Sequence, residues 1–186
     1  MAATDFAQLT GYAKSFTGLT PEREQTLLRL GEVIKPKLPA ITDSFYATLG
    51  GISGVSQHLE GRVDALKQTH LRWLQQLFSG PFDESYTQAM HRVGDAHVKV
   101  NLPVEFMAGG MTLIADLLFA EIESIYSEDS QGRSAALGAV NAILGFSLLV
   151  MQQSFHGATL LDELEKFLKI TGISKALFNN LAAAYR

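Results

Sequence analysis

Residues 82–111, FDESYTQAMHRVGDAHVKVNLPVEFMAGGM, decide how the rest of the chain can fold. Their apolar residues recur at helical spacing, which predicts an amphipathic helix, a break at Asn101-Leu102-Pro103, and then a more apolar helix. His97 falls on the apolar face of the first helix, almost one turn after Gly94. A glycine there removes side-chain bulk, so we expect a flat, bulky group to approach the helix beside the imidazole. The same spacing is also typical of a core histidine that hydrogen-bonds a backbone carbonyl.

Composition favours one globular domain. The chain has 186 residues, of which 47% are hydrophobic and 18% charged, so a sizeable core can form. A net charge of −4 argues against nucleic acid as a partner, because phosphate binding requires a basic face. The sequence has no cysteine, which excludes disulfides, thiolate metal ligands and thiol catalysis. The N-terminus has no signal-peptide pattern, and both features fit a cytoplasmic protein.

Helix start and stop signals divide the remaining sequence into helices. Thr4 is the expected cap of the first helix, and Thr20 followed by Pro21 is the expected start of the second. Gly- and Ser-rich residues 50–58 predict a loop. The predicted helices span about 4–15, 20–36, 38–49, 59–78, 83–100, 103–126 and 134–155.

The last of these helices is almost entirely apolar. Its stretch AALGAVNAILGFSLLVM has about 17 residues and contains Asn141, whereas a membrane span needs ~20, so we expect a buried helix rather than a membrane segment. Small residues along it would allow close packing against a partner, as would Gly109 and Gly110 on the preceding helix. These small residues are Ala135, Gly138, Ala139, Ala142 and Gly145.

Three segments together resemble globin-coupled sensors. RVGDAHVKVNLP at 92–103 resembles the proximal-histidine region, DSFYATL at 43–49 resembles the segment with the distal tyrosine, and VDALKQT at 63–69 resembles the distal helix. The resemblance covers roughly residues 5–160. It implies an all-α, globin-like fold, a three-over-three helical sandwich with an extra N-terminal helix and a reduced or absent D helix. We expect a sensor globin domain at 1–160 and a helical extension or linker at 161–186.

The resemblance also implies roles for individual residues. His97 would be the axial ligand of haem b iron, Tyr46 and Thr69 would face the bound gas, and Leu66 would screen it. His70 could enter the pocket as a second ligand or a hydrogen-bond donor, but one residue changes direction by about 100°, so we expect it to point aside. The expected walls of the haem slot are Phe45, Leu66, Trp73, Val93, Val100, Leu102 and Phe106.

The implied function is a haem-based sensor of O2, CO or NO that acts as a regulatory domain rather than an enzyme. Ligand state would pass to a downstream output domain through a homodimer of the helices at 103–126 and 134–155, without nucleic acid or membrane. Two alternatives remain: a haem-free globin-like interaction module, and a stand-alone globin that binds O2 or oxidises NO. The sequence departs from the family at Asn101, where glycine is usual, and at Phe106 and Met107, where an aromatic pair is common.

Overall fold

The structure, a computed structural model, describes residues 4–184 and is built from helices. Within that range it contains no strand, which confirms the predicted all-α class. Short 3-10 turns lie at Lys35–Lys37 and Ser56–His58. The second turn is the only helical element between the third and fourth α-helices of the described chain, as expected for a reduced D helix. The α-helices are α1 (Phe6–Thr17), α2 (Pro21–Ile34), α3 (Leu38–Gly50), α4 (Val63–Gln76), α5 (Glu84–Lys99), α6 (Val104–Ile125), α7 (Ser130–Thr171) and α8 (Lys175–Ala184).

Side-chain caps fix several helix starts. The carboxylate of Asp5, not the predicted Thr4, accepts a hydrogen bond from the Gln8 amide at 3.0 Å and caps α1. The Asp83 carboxylate caps α5 by accepting hydrogen bonds from the amides of Ser85 and Tyr86. Helix α4 begins at Val63, four residues later than predicted. Gly61 has a φ of 68°, and this left-handed backbone keeps the segment before Val63 out of the helix.

Helix α7 forms the centre of the core. It packs against α1, α2, α5 and α6, and its fully buried residues include Val140, Ile143 and Phe146. By length and composition it could cross a membrane, but 56% of its most apolar window is buried inside the fold. Burial on several sides explains its continuous apolar sequence, as for the core helix of a globular domain.

Two glycines of α7, Gly138 and Gly145, face side chains of other helices of the same chain. A Cβ at Gly138 would stand 3.4 Å from the Arg23 guanidinium, and one at Gly145 would stand 3.5 Å from Thr17. These distances are ordinary van der Waals contacts with α1 and α2 of the same chain, so the expectation that the two glycines admit a partner stays a prediction. Ala139 and Ala142 are also buried in the core, whereas Ala135 is exposed. On α6, a Cβ at Gly110 would meet the Phe45 ring at 3.6 Å, and Gly109 is exposed.

Helix α7 covers the predicted residues 134–155 and extends beyond them at both ends. It spans 42 residues and ends at Gly172, whose φ is 70°. The predicted boundary between residues 160 and 161 therefore lies inside one continuous helix. Past residue 157 the helix carries exposed apolar residues, including Leu160, Phe167 and Ile170.

Candidate functional site

Helices α4 and α5 form the two sides of the candidate site. Near the connection between them, the Trp73 indole N–H donates to the Met90 sulfur at 3.2 Å, and both residues are buried. Farther from that connection the apolar residues are less covered. Leu66 and His97 are half-buried, and Val100 is 42% exposed. The two helices are thus joined at one end, and toward the other end they present apolar surface that a flat ligand would cover.

His97 lies in the last turn of α5 with one ring nitrogen anchored. Its Nδ1 is 2.9 Å from the Val93 carbonyl oxygen, and because a carbonyl only accepts, Nδ1 carries the proton. Burial lowers the pKa of His97, and the hydrogen bond to Val93 opposes that shift only in part. The ring is therefore a neutral imidazole whose Nε2 keeps its lone pair, which is the form that binds a metal.

Gly94 has a different neighbour from the one the sequence suggested. A Cβ at Gly94 would overlap the Met151 carbonyl oxygen and stand 2.8 Å from the Ser154 Cβ. Glycine is therefore required for the close approach of α7, not for the approach of a flat ligand beside His97. This correction assigns Gly94 to helix packing, on the side of α5 that faces the core.

The distal side is a cluster of aromatic rings around His70. The His70 ring stacks on Phe45, with centroids 4.6 Å apart and planes at 9°. It also meets Tyr46 edge-on at 5.7 Å and Trp73 at 5.5 Å. His70 therefore points into the cluster, which corrects the expectation that it points aside.

His70 has one partner and one unsatisfied nitrogen. Its Nδ1 is 3.3 Å from the Thr42 hydroxyl, and its Nε2 is buried without a hydrogen bond from the described residues. Burial lowers the pKa of His70 to about 4, so the ring is neutral at physiological pH. An unsatisfied buried polar atom is costly, so Nε2 needs a partner such as a water molecule, an ion or a ligand.

Thr69 does not face this cluster. It is exposed, its hydroxyl donates to the Ala65 carbonyl oxygen at 3.1 Å, and it accepts from the Arg72 guanidinium at 3.2 Å. The prediction of Thr69 as a distal group is thereby corrected in favour of its neighbour. The apolar spacing of Val63, Leu66, His70 and Trp73 along α4 already contained this signal, because His70 fits the buried stripe and Thr69 does not.

Tyr46 closes the other end of the distal side. It is half-buried, packs edge-on against Phe45 at 5.3 Å, and burial raises its pKa to about 12, so its phenol remains protonated. A cleft of about 220 Å³ leads from solvent to its side chain. The cleft is lined by Tyr46, Gly50, Ser56, Leu59, Glu60, Gly61 and Val63.

The predicted slot walls fall into two groups. Phe45 and Trp73 are buried and belong to the aromatic cluster with Tyr46 and His70. The walls near His97 form the second group, which is less covered: Leu66, Val93, Leu102 and Phe106 are half-buried and Val100 is exposed. Within it, Phe106 packs edge-on against His58 at 6.0 Å.

The turn after His97 accommodates the departure at Asn101, and Met107 lies beyond it on α6. Asn101 has a φ of 52°, a left-handed conformation that glycine adopts easily and asparagine tolerates best among the other residues. The turn places the Leu102 amide 3.0 Å from the His97 carbonyl oxygen. Met107, in place of an aromatic residue, is buried in the core at the start of α6.

These residues fit a haem. A haem site needs a neutral imidazole on a helix, a flat apolar slot and a distal side with few polar groups. His97 supplies the first, and the half-covered apolar residues of α4 and α5 would line the second. The distal polar groups are the protonated phenol of Tyr46 and the unsatisfied nitrogen of His70.

Comparison with known proteins identifies the family and the fold. The family model described as Protoglobin matches residues 7–156. The chain is similar to the globin domain of Geobacter sulfurreducens globin-coupled sensor, at 29% identity and a TM-score of 0.69, over 78% of this chain and 96% of that one. It also resembles the globin domain of E. coli DosC (ferric), at 19% identity and a TM-score of 0.63, over 76% of this chain and 97% of that one, a likeness that concerns the fold alone. The predicted globin-like fold is confirmed.

Proposed function

The chain belongs to the protoglobin family, and from that premise we propose that it is a haem-binding sensor domain for a diatomic gas. Globins generally bind haem, and we propose haem b as the cofactor here. One observation carries the proposal: His97 is a neutral imidazole with Nδ1 held by Val93 and Nε2 left available beside half-covered apolar residues. When bound, the haem would supply an iron atom able to take O2, CO or NO.

The proximal residues hold and orient this ligand. The hydrogen bond from His97 Nδ1 to the Val93 carbonyl fixes the tautomer and the ring orientation, and it raises the basicity of Nε2. Val93, Val100, Leu102 and Phe106 would cover the faces of the haem and exclude water from the slot. Exclusion of water strengthens every polar interaction made within the slot.

The distal residues set the polarity opposite His97. The Tyr46 phenol stays protonated because its pKa is raised to about 12, so it can donate a hydrogen bond to a gas molecule. Leu66 and Phe45 would screen the site from solvent. The unsatisfied Nε2 of His70 is the second polar group on this side, available as a hydrogen-bond donor or as a second ligand.

We propose that the ligand state is read out through a homodimer and a downstream output domain, with the protein located in the cytoplasm. The domain would comprise residues 1–160, and 161–186 would form the helical linker. Outward-facing positions on α6 and α7 support the dimer, because several are small or uncharged; they include Gly109, Thr112, Ala135 and Asn141. In this role the chain is regulatory, and any catalysis would belong to the output domain.

Hemin titration tests the proposal. Wild-type protein should take up hemin with a Soret band and, after reduction, give the spectrum of an imidazole-ligated ferrous haem. His97→Ala should lose that reduced spectrum, whereas His156→Ala, at an exposed position of α7, should retain it. Wild-type protein that develops no Soret band would contradict the proposed function and favour a haem-free interaction module. A normal reduced spectrum in His97→Ala would contradict the assignment of the ligand.

A further inference from the structure

Helix α5 is fastened to α7 immediately before His97. Gly94 lets the two helices approach until the Met151 carbonyl oxygen and Ser154 fill the space of a missing side chain. Helices normally pack 8–10 Å apart, and glycine is what permits a closer approach. The contact is therefore specific to this point of the α5 face.

Hydrogen bonds reinforce the same point. The Ser154 hydroxyl donates to the His91 carbonyl oxygen at 2.7 Å and lies 2.5 Å from Asp95 Oδ1, so its proton is shared between two acceptors of α5. The second carboxylate oxygen of Asp95 is 3.5 Å from His91 Nδ1. Ser154 is 2% exposed, so its hydroxyl is shielded from water, whereas the Asp95 side chain is 38% exposed.

The fastening lies within one turn of the predicted iron ligand. Asp95 is two residues before His97, and Val93, whose carbonyl holds the His97 ring, is directly before Gly94. A helical segment this short moves as a rigid unit, because its backbone is fully hydrogen-bonded. The position of the imidazole relative to the slot is thus set by where α5 rests on Ser154.

We propose that Asp95 and Ser154 are positioning residues for His97 and that they transmit its displacement to α7. This proposal rests on the proposed haem-sensing function. Helix α7 continues without a break from Ser154 to Thr171, so a shift of α5 is carried along the segment 155–171. That segment carries exposed apolar residues, among them Leu160, Phe167 and Ile170, where a shift can alter the contacts of whatever follows.

The transmission requires that gas binding favour one position of α5 over another, since a ligand shifts only equilibria between states to which it binds differently. The Ser154 proton provides such an asymmetry. It is shared between the His91 carbonyl and the Asp95 carboxylate, and a movement of α5 redistributes it between the two acceptors.

Haem-loaded, full-length protein allows a direct test. We would record the iron–histidine stretching band of the ferrous protein by resonance Raman spectroscopy, and amide hydrogen exchange over 157–171 with and without CO. In the wild type, we expect CO to change the exchange rates of that segment. Ser154→Ala should shift the stretching band and abolish the CO-dependent exchange difference, while Ser154→Thr, which keeps the hydroxyl, should restore both.

Asp95→Leu is the second variant, because it removes the acceptor while keeping the side-chain size at a half-exposed position, so it remains measurable if Ser154→Ala does not fold. Ser134→Ala, at an exposed position of α7, is the control. Normal Soret and reduced spectra with an unchanged stretching band and exchange difference in Ser154→Ala or Asp95→Leu would overturn this inference and leave the proposed function intact. Failure of the wild type to bind hemin would instead refute the proposed function.

Discussion

The two histidines of the site are built in opposite ways. His97 on α5 donates Nδ1–H to a carbonyl, which fixes its tautomer and leaves Nε2 beside partly exposed apolar surface. His70 on α4 pairs with the Thr42 hydroxyl, which can donate or accept, and its Nε2 is buried with no partner among the described residues. The proximal imidazole thus has a fixed tautomer with a lone pair free for a metal, whereas the distal imidazole has a buried nitrogen that a water molecule, an ion or a ligand would have to satisfy.

The helices that carry the two histidines also differ in how the rest of the fold holds them. Helix α5 rests on α7 through Gly94 and through Ser154, so its register is fixed by close backbone contact. Helix α4 packs against α3 through the aromatic cluster and an exposed ion pair between Lys67 and Asp43 at 2.7 Å. Exposed ion pairs contribute little to stability. Close packing and hydrogen bonding of α5 against α7 therefore fix the proximal side, whereas contacts between aromatic rings hold the distal side.

The largest expected effect comes from disturbing the proximal side. Gly94→Ala places a Cβ where the Met151 carbonyl oxygen lies, so α5 and α7 must separate. Overpacking of this kind costs about 3 kcal/mol, more than the ~1 kcal/mol that alanine adds to helix stability. Urea unfolding at pH 7 should show a lower midpoint for the variant than for the wild type.

Gly11→Ala is the matched control for this prediction. Gly11 lies inside α1, is exposed, and a Cβ there would meet nothing within 4 Å. Alanine should therefore raise stability by about 0.5–1 kcal/mol through helix propensity. If both variants raised the midpoint, the close contact between α5 and α7 would be disproved.

The prediction for Gly94 also shows where sequence reasoning reached its limit. Periodicity fixed the helices and the position of His97, because those depend on neighbours along the chain. It could show that Gly94 needs a close neighbour, but not whether that neighbour is a ligand or α7, because the answer depends on residues almost sixty positions away. For the same reason, the contact of Ser154 with α5 could not be predicted, because in the sequence Ser154 looks like an ordinary helical serine.

The sequence alone distinguishes which of Thr69 and His70 faces the aromatic cluster. Adjacent positions on a helix differ by about 100°, so only one of them can face the cluster. The apolar stripe of Val63, Leu66 and Trp73 selects His70. The resemblance to a family pointed to Thr69, whereas the apolar spacing along α4 points to His70, because that spacing reflects which residues of this chain are buried.

The next effect, of opposite sign, is expected on the distal side. His70→Leu combined with Thr42→Val replaces a buried imidazole that has an unsatisfied nitrogen, together with the buried hydroxyl that pairs with it, by apolar side chains, so it should stabilise the haem-free protein at pH 7 by about 1 kcal/mol. Urea unfolding should place this double variant above the wild type, whereas Gly94→Ala falls below it. A destabilised double variant would mean that Nε2 is satisfied in solution.

The same residue predicts a pH dependence. Burial lowers the pKa of His70 from 6.5 to about 4, so between these values the unfolded chain binds a proton that the folded protein does not. Stability is therefore full above about pH 6.5 and falls as the pH approaches 4, by up to about 3 kcal/mol from this group. His70→Leu should flatten that decline in urea unfolding from pH 7 to 4.5. Replacement of the exposed His156 is the control, and an equally steep decline in His70→Leu would exclude His70 as its source.

The smallest effect is expected on the O2 dissociation rate when Tyr46 is replaced. It distinguishes Tyr46, a hydrogen-bond donor to the ligand, from Thr69, which lies on the exposed face of α4. Tyr46→Phe removes the phenol while keeping the edge-on contact with Phe45. A single hydrogen bond contributes about 1 kcal/mol, so O2 should leave the haem-loaded variant roughly five- to tenfold faster in stopped-flow displacement. Thr69→Val is the matched control, because the Thr69 hydroxyl already bonds Ala65 and Arg72 on the exposed face and should leave the rate unchanged. A faster rate in Thr69→Val together with an unchanged rate in Tyr46→Phe would reverse the assignment, and it would require α4 to rotate when haem binds.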